Sequence, residues 1–185
     1  MNKALDVIEE LEKNRQQQYL AKDSIDFISI ICKIIKPKNI LEIGTCHGYS
    51  ALNFSLLTEK VTTLEIDENA VKIAEENFKK AEVNNIKLIE GNAIETLEKL
   101  KEKFDIIFID AKKSEYKKYL ELSLELLNKN SLIFVDNTIS HKESMEDFFI
   151  FLKNSNLYYQ ELNIGKKPTS EALSGLTIIS NKINS

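Results

Sequence analysis

Five short apolar runs, spaced so that a helix fits between each consecutive pair, constrain this chain more than any other feature. The runs are NILEI (39–43), VTTLE (61–65), IKLIE (86–90), FDIIFID (104–110) and SLIFVD (131–136). Each is nearly continuous in apolar character, as a strand buried on both faces requires. Between them the period becomes helical. Val71, Ala74 and Phe78 share one face behind an Asp67 cap, and further helices are expected over 49–57, 93–101, 114–127 and 142–154. Weaker strands at 158–162 and 176–180 bring the total to seven. The predicted fold is α/β: a doubly wound, mostly parallel seven-stranded sheet with helices on both faces. Ahead of the sheet, Ala4, Leu5, Ile8 and Leu11 form one helical stripe. Ile25, Ile28, Ile31, Cys32 and Ile35 form a second, capped by Asp23 or Ser24 and stopped by Pro37. The chain reads as a single domain over 1–185, with N-terminal helices at 1–36 and the sheet core at 37–185. The segment 165–174 (GKKPTSEALS) predicts a mobile loop.

Composition removes several function classes. The 25 basic and 29 acidic residues leave a net charge of −4, which disfavours a protein that coats polyanions. Two cysteines, Cys32 and Cys46, make neither a disulfide framework nor a zinc–cysteine site and suit a reducing compartment. The charged N-terminus lacks the apolar core of a signal peptide. The most apolar stretch, 25–35, contains Asp26 and Lys33 and is too short to span a bilayer. A cytoplasmic location without membrane partners is expected.

Ligands of open α/β sheets sit beyond the carboxyl ends of the strands, and here those ends are polar. The first strand runs into Gly44-Thr45-Cys46-His47-Gly48, and the second ends at Glu65. The third ends at Glu90-Gly91-Asn92, the fourth at Asp110 and the fifth at Asp136-Asn137. The first loop brings backbone N–H groups and a helix N-terminus to a ligand, with Ser50 adding a hydroxyl. Glu65 follows Gly44 by about 20 residues, the position of a carboxylate that accepts ribose hydroxyls. A dinucleotide ordinarily requires G-x-G-x-x-G to clear its pyrophosphate. The G-x-x-x-G spacing suits a cofactor without one, such as S-adenosylmethionine, while leaving the dinucleotide open. Asp110, Asp136 and Asn137 form a hard-oxygen set suited to Mg²⁺, unless each aspartate merely caps its following helix.

These residues carry a resemblance. ILEIGTCHGYSAL (40–52), VTTLEID (61–67), IKLIEGNA (86–93), FDIIFIDAKKSEY (104–116) and SLIFVDNTIS (131–140) together resemble the class I S-adenosylmethionine-dependent O-methyltransferases. The similarity is to the divalent-metal branch that contains catechol and caffeoyl-CoA O-methyltransferases. The resemblance implies a Rossmann-like fold. Glu42, Gly44 and Ser50 would hold the methionine end of the cofactor, with Thr45 and Gly48 in the same loop. Glu65 would bind the ribose, and Asn92 and Ala93 would lie against the adenine. Asp110, bordering the cofactor, would bind Mg²⁺ with Asp136 and Asn137. Lys113, at the family's spacing after the first metal aspartate, would be catalytic. A dication favours the neutral form of a neighbouring amine, which would let this lysine accept a phenolic proton. The implied substrate is a small hydroxylated, catechol-like aromatic, and the implied assembly a homodimer. Two positions depart from the family: Lys112 replaces a frequent acid, and Ser174-Gly175-Leu176 stands where Asp-Gly-Leu is common.

Other readings remain open at this level. Lys112, Lys113, Lys117 and Lys118 are either a solvated face or a recruiter of an anionic substrate, such as a coenzyme A ester or tRNA. Methylation of a hydroxyuridine in tRNA is therefore the nearest alternative. A dehydrogenase and a non-catalytic cofactor-binding module are the others. Cys46 and His47 receive no catalytic role, and His141 is a candidate helix cap.

Overall fold

The computed structural model describes residues 2–15, 19–166 and 173–180. The chain opens with α1 (Lys3–Lys13) and α2 (Lys22–Ile35). Then β1 (Asn39–Ile43), α3 (Tyr49–Ser55), β2 (Lys60–Glu65), α4 (Glu68–Lys80), β3 (Ile86–Glu90) and α5 (Ala93–Lys99) alternate. They are followed by β4 (Phe104–Ile109), a 3₁₀ turn (Lys113–Glu115), α6 (Tyr116–Leu124) and β5 (Leu127–Asp136). A second 3₁₀ turn (Lys142–Met145), α7 (Glu146–Asn154), β6 (Tyr158–Leu162) and β7 (Leu176–Ser180) complete the described elements. The sheet order is β3-β2-β1-β4-β5-β7-β6. The first five strands are mutually parallel, and β7 runs antiparallel to both β5 and β6. The predicted seven-stranded, mostly parallel architecture is the observed one.

Alternate strand residues feed two cores. Ile106, Phe108 and Phe134 pack with Ile25 and Ile28 of α2, Phe54 of α3 and Phe78 of α4. Ile107, Ile109, Ile133 and Val135 pack on the opposite face with Leu97 of α5, Tyr116 and Leu120 of α6, and Phe148 of α7. This period-2 division explains the apolar runs of the central strands: both faces of β1, β4 and the end of β5 are covered.

Local chemistry sets the boundaries. Asp67 caps α4 through Oδ1, which accepts from Asn69 N at 2.8 Å and Ala70 N at 2.9 Å. The expected caps of α2 are corrected: Ala21 is the N-cap, without a side-chain bond. Asp23 instead accepts from the backbone N–H groups of Gly165 and Lys166. At the other end Lys36 takes a left-handed φ of 51° ahead of Pro37. The helix expected over 114–127 ends at Leu124, and β5 begins earlier than its apolar run. Its register against β4 shifts between Phe104 and Ile106, so Asn128, Lys129 and Asn130, which look like a turn, are absorbed as a bulge. Residues 167–172 of the predicted mobile loop lie outside the described residues. Among the described residues no helix is long and apolar enough to cross a membrane.

Candidate active site

The strand order brings the five polar ends to one rim, and backbone bonds lock them together. Gly44 N and Thr45 N both donate to Leu64 O, at 3.0 and 3.2 Å. Gly91 N donates to Glu65 O at 2.7 Å, and Asp110 N to Ile43 O at 2.9 Å. The loop Gly44–Gly48 therefore lies between the ends of β2 and β4. Its turn requires left-handed backbone at Gly44 (φ 102°), Cys46 (φ 48°) and Gly48 (φ 84°). At Gly48 a Cβ would lie 2.4 Å from Cε1 of Phe78, so glycine lets α4 close against the start of α3.

Glu42 lies beneath this loop with 0% exposure. Its Oε2 accepts from the Thr63 hydroxyl at 2.5 Å, and that hydroxyl meets Thr45 Oγ1 at 2.6 Å. The other oxygen, Oε1, has no hydrogen-bond partner. Burial is the main cause that raises the Glu42 pKa to about 8, with Asp110 and Glu65 adding to it and the Ser50 and Thr63 hydroxyls opposing it. Glu42 therefore carries a proton at neutral pH. Its pKa in the unfolded chain is near 4.5, so between the two values the folded state binds the extra proton, and stability falls as pH rises. Melting temperature measured from pH 5 to 8 should decline for this reason. Glu42→Gln, which mimics the protonated acid, should flatten that decline. An unchanged slope in the variant would refute the assignment.

Glu65, the expected ribose acceptor, is already engaged by backbone N–H groups. Its Oε2 accepts from Cys46 N at 2.8 Å, and Oε1 from Ile66 N at 2.9 Å and Asp67 N at 3.0 Å. Three of its roughly four acceptor sites are thus used, which makes it the anchor of the loop and leaves room for one further hydroxyl. Asn92 is exposed and caps α5, its Oδ1 accepting from Ile94 N at 2.9 Å and Glu95 N at 3.3 Å. Ala93 opens that helix.

Asp110 and Asp136 stand one residue beyond the paired Ile109 and Val135, so they are neighbours across two strands. Asp110 Oδ1 receives Lys113 Nζ at 2.8 Å, and the ammonium also donates to Ala111 O at 3.0 Å. It sits 5.2 Å from the centre of the Tyr116 ring. Asp136 is fully buried. It accepts from Asn137 Nδ2 at 2.8 Å and from Ser174 Oγ at 3.3 Å. Neither aspartate caps a helix, because the two following 3₁₀ turns have Lys112 and His141 at their N-caps without side-chain bonds. His141 thus stands at the expected N-cap position, but its side chain makes no capping bond. The Tyr116 hydroxyl is buried and unpartnered. Burial first, and the charges of Asp110 and Asp136 after it, hold its pKa well above the ordinary phenol value.

The chemistry of this donor set fits a hard divalent cation. Two carboxylates end adjacent strands, Asp110 paired with Lys113, and the Asn137 amide, with its nitrogen committed to Asp136, offers its oxygen. Among the described residues no group of three or more His, Cys, Asp or Glu is placed to hold a metal ion. The lysine-rich turn is largely neutralised. Lys112 pairs with Glu115 at 2.7 Å and Lys118 with Glu98 at 3.8 Å, in addition to the Lys113–Asp110 pair.

Sequence reasoning located the rim but missed Thr63, Ser174 and Tyr19. Thr63 is hidden inside an apolar strand, and Ser174 and Tyr19 reach the site across long chain separations. Tyr19 meets the ring of His47, and no local pattern signals that contact.

The family model described as O-methyltransferase matches residues 3–163. A catechol O-methyltransferase of Niastella koreensis is 33% identical over 129 residues, covering 65% of this chain and 58% of that protein. The SAH-bound methyltransferase of Podospora anserina superposes with a TM-score of 0.82 at 26% identity, covering 98% of this chain and 88% of that one. An O-methyltransferase of Bacillus cereus in complex with SAH superposes at 0.81 with 25% identity, covering 96% and 91%. The chain spans less than two thirds of the length of the curated relatives it matches.

Proposed function

Since the chain belongs to the O-methyltransferase family, we propose that it moves a methyl group from S-adenosylmethionine to a hydroxyl of a small, catechol-like aromatic, assisted by Mg²⁺ or a similar cation. The observation that carries this reading is one rim holding both the glycine-turn loop with Glu42 and Glu65, and the Asp110–Asp136 pair with Lys113. A nucleotide-type cofactor in that loop would present its sulfonium near the lysine-bearing turn.

The transfer is an in-line displacement: the methyl C–S bond breaks as the C–O bond forms, and S-adenosylhomocysteine (SAH) leaves. Its requirements are alignment and a deprotonated oxygen. Gly44 and Gly48 shape the loop, and Glu65 holds it through Cys46 N. Glu42 has one unpartnered buried oxygen that would accept from the ammonium of the cofactor's methionine end, and that positive charge would favour the ionised carboxylate. Asp110, Asp136 and the Asn137 oxygen would hold the cation, which supplies Lewis acidity toward a bound hydroxyl. In its neutral form, which a neighbouring dication would favour, Lys113 Nζ would accept the hydroxyl proton. The pairing of Lys112 and Lys118 with acids favours a small acceptor over tRNA.

Thermal stability in the presence of SAH or NADH, each with Mg²⁺ or with chelator, tests the cofactor class. SAH at 100 times its Kd should raise Tm by roughly 5–10 °C for a chain of this size, and NADH should leave it unchanged. A shift with NADH alone would replace this reading with a dehydrogenase. Asp136→Ala should keep the SAH shift and lose metal-stimulated methyl transfer to catechols. Full activity in that variant, or in excess chelator, would remove the metal from the proposal.

A further inference from the structure

His47 lies in the middle of the proposed cofactor loop, and the chemistry above does not use it. Its ring Nδ1 is hydrogen-bonded to the Tyr19 hydroxyl at 2.8 Å, and the two rings meet edge-on with centroids 5.6 Å apart. Tyr19 belongs to no helix, yet it is 4% exposed. Its ring also stacks on Tyr49, at 5.7 Å and an interplanar angle of 5°. Tyr49 opens α3 and donates to Glu12 Oε1 at 2.6 Å. On the other side, besides the Gly44 and Thr45 bonds to Leu64 O, side chains hold the loop backbone: Cys46 N donates to Glu65 Oε2 at 2.8 Å, and Asn77 Nδ2 to His47 O at 2.9 Å.

The loop is thus gripped between the core elements and the stretch that leads into α2, where Tyr19 meets the His47 ring. Cys46, held between these grips, has φ 48°, a conformation that a non-glycine residue keeps only when its surroundings impose it. Burial raises the Tyr19 pKa to about 12, so its hydroxyl stays protonated throughout the neutral range.

We propose that Tyr19 and His47 form a positioning pair that holds the Gly44–Gly48 loop in its cofactor-binding conformation. The pair couples the segment before α2 to the affinity for an adenosyl cofactor. This inference rests on the proposed cofactor class. The coupling is reciprocal: if the pair favours the loop shape that binds, the bound cofactor favours the Tyr19 contact.

Calorimetric titration of SAH into the wild type, Tyr19→Phe, His47→Ala and the double variant tests the pair, together with Tm of each protein without ligand. Each single variant should weaken SAH about fivefold, the scale of one lost hydrogen bond. The double variant should be no weaker than the worse single, because both changes remove the same contact. His47→Asn, whose amide can still meet the Tyr19 hydroxyl, should recover part of the loss. A purely packing role would lower Tm in proportion to lost contacts and leave Kd unmoved. Wild type that binds SAH alongside variants of equal affinity would overturn the pair and spare the cofactor reading. Wild type that does not bind SAH would overturn both.

Discussion

Lys113→Ala is expected to lower kcat for methyl transfer by about 10²–10⁴-fold, with the SAH affinity retained. The expectation follows from the family resemblance, which implies a catalytic lysine at position 113, and the rim geometry is compatible with it. Glu65 spends three acceptor sites on backbone N–H groups, and Glu42 is sealed beneath the loop. Asp110 and Asp136 are the proposed cation ligands. Lys113 Nζ is held at the rim by Asp110 Oδ1, Ala111 O and the face of Tyr116. Two roles must be separated, since the same ammonium also balances Asp110. Lys113→Arg keeps the balancing charge but cannot accept a proton. It should lose as much kcat as the alanine variant while holding Tm closer to wild type. Recovery of activity by arginine would reduce Lys113 to an ion-pair partner and pass the proton to another acceptor.

The second large effect is structural. Gly44→Ala should destabilise the protein by about 3 kcal/mol, combining a left-handed backbone penalty with overpacking. That corresponds to a fall in Tm of roughly 6–12 °C. At φ 102° the added Cβ would lie 2.1 Å from the carbonyl oxygen of Asp110 and 2.8 Å from its carbonyl carbon. Both are backbone atoms of the strand end that carries the proposed metal ligand, so no side-chain rotation relieves the clash. The displacement must move either the cofactor loop or Asp110. The protein that remains folded should therefore lose both SAH binding and metal-stimulated turnover. A variant that melts with the wild type and binds SAH normally would mean that the loop and the Asp110 turn are not in mutual contact.

Much of the fold was legible because its signals are local. Continuous apolar runs report strands covered on both sides. Asp67 announces α4 by its own chemistry, and Pro37 stops α2. The failures share one cause, which is long-range competition for a local group. Asp23 looks like a cap but is claimed by the backbone at Gly165 and Lys166. The LNKNS stretch looks like a turn but becomes a bulge because β4 extends to meet it. Asp110 and Asp136 each look like helix caps until strand pairing sets them side by side.

The sequence by itself determined that strands and helices alternate and that every parallel strand ends in a polar residue or a glycine turn, because period and turn chemistry depend on near neighbours. The tertiary structure alone decided which of those ends share a ligand site. Only the β3-β2-β1-β4-β5 order places Glu65 against Cys46 on one side of the loop and Asp110 on the other. The Thr63 bridge to Glu42, the Ser174 contact with Asp136 and the Tyr19–His47 bond also join residues far apart in the chain. Such contacts depend on how elements cross and pack in three dimensions, a property that no local window of residues encodes.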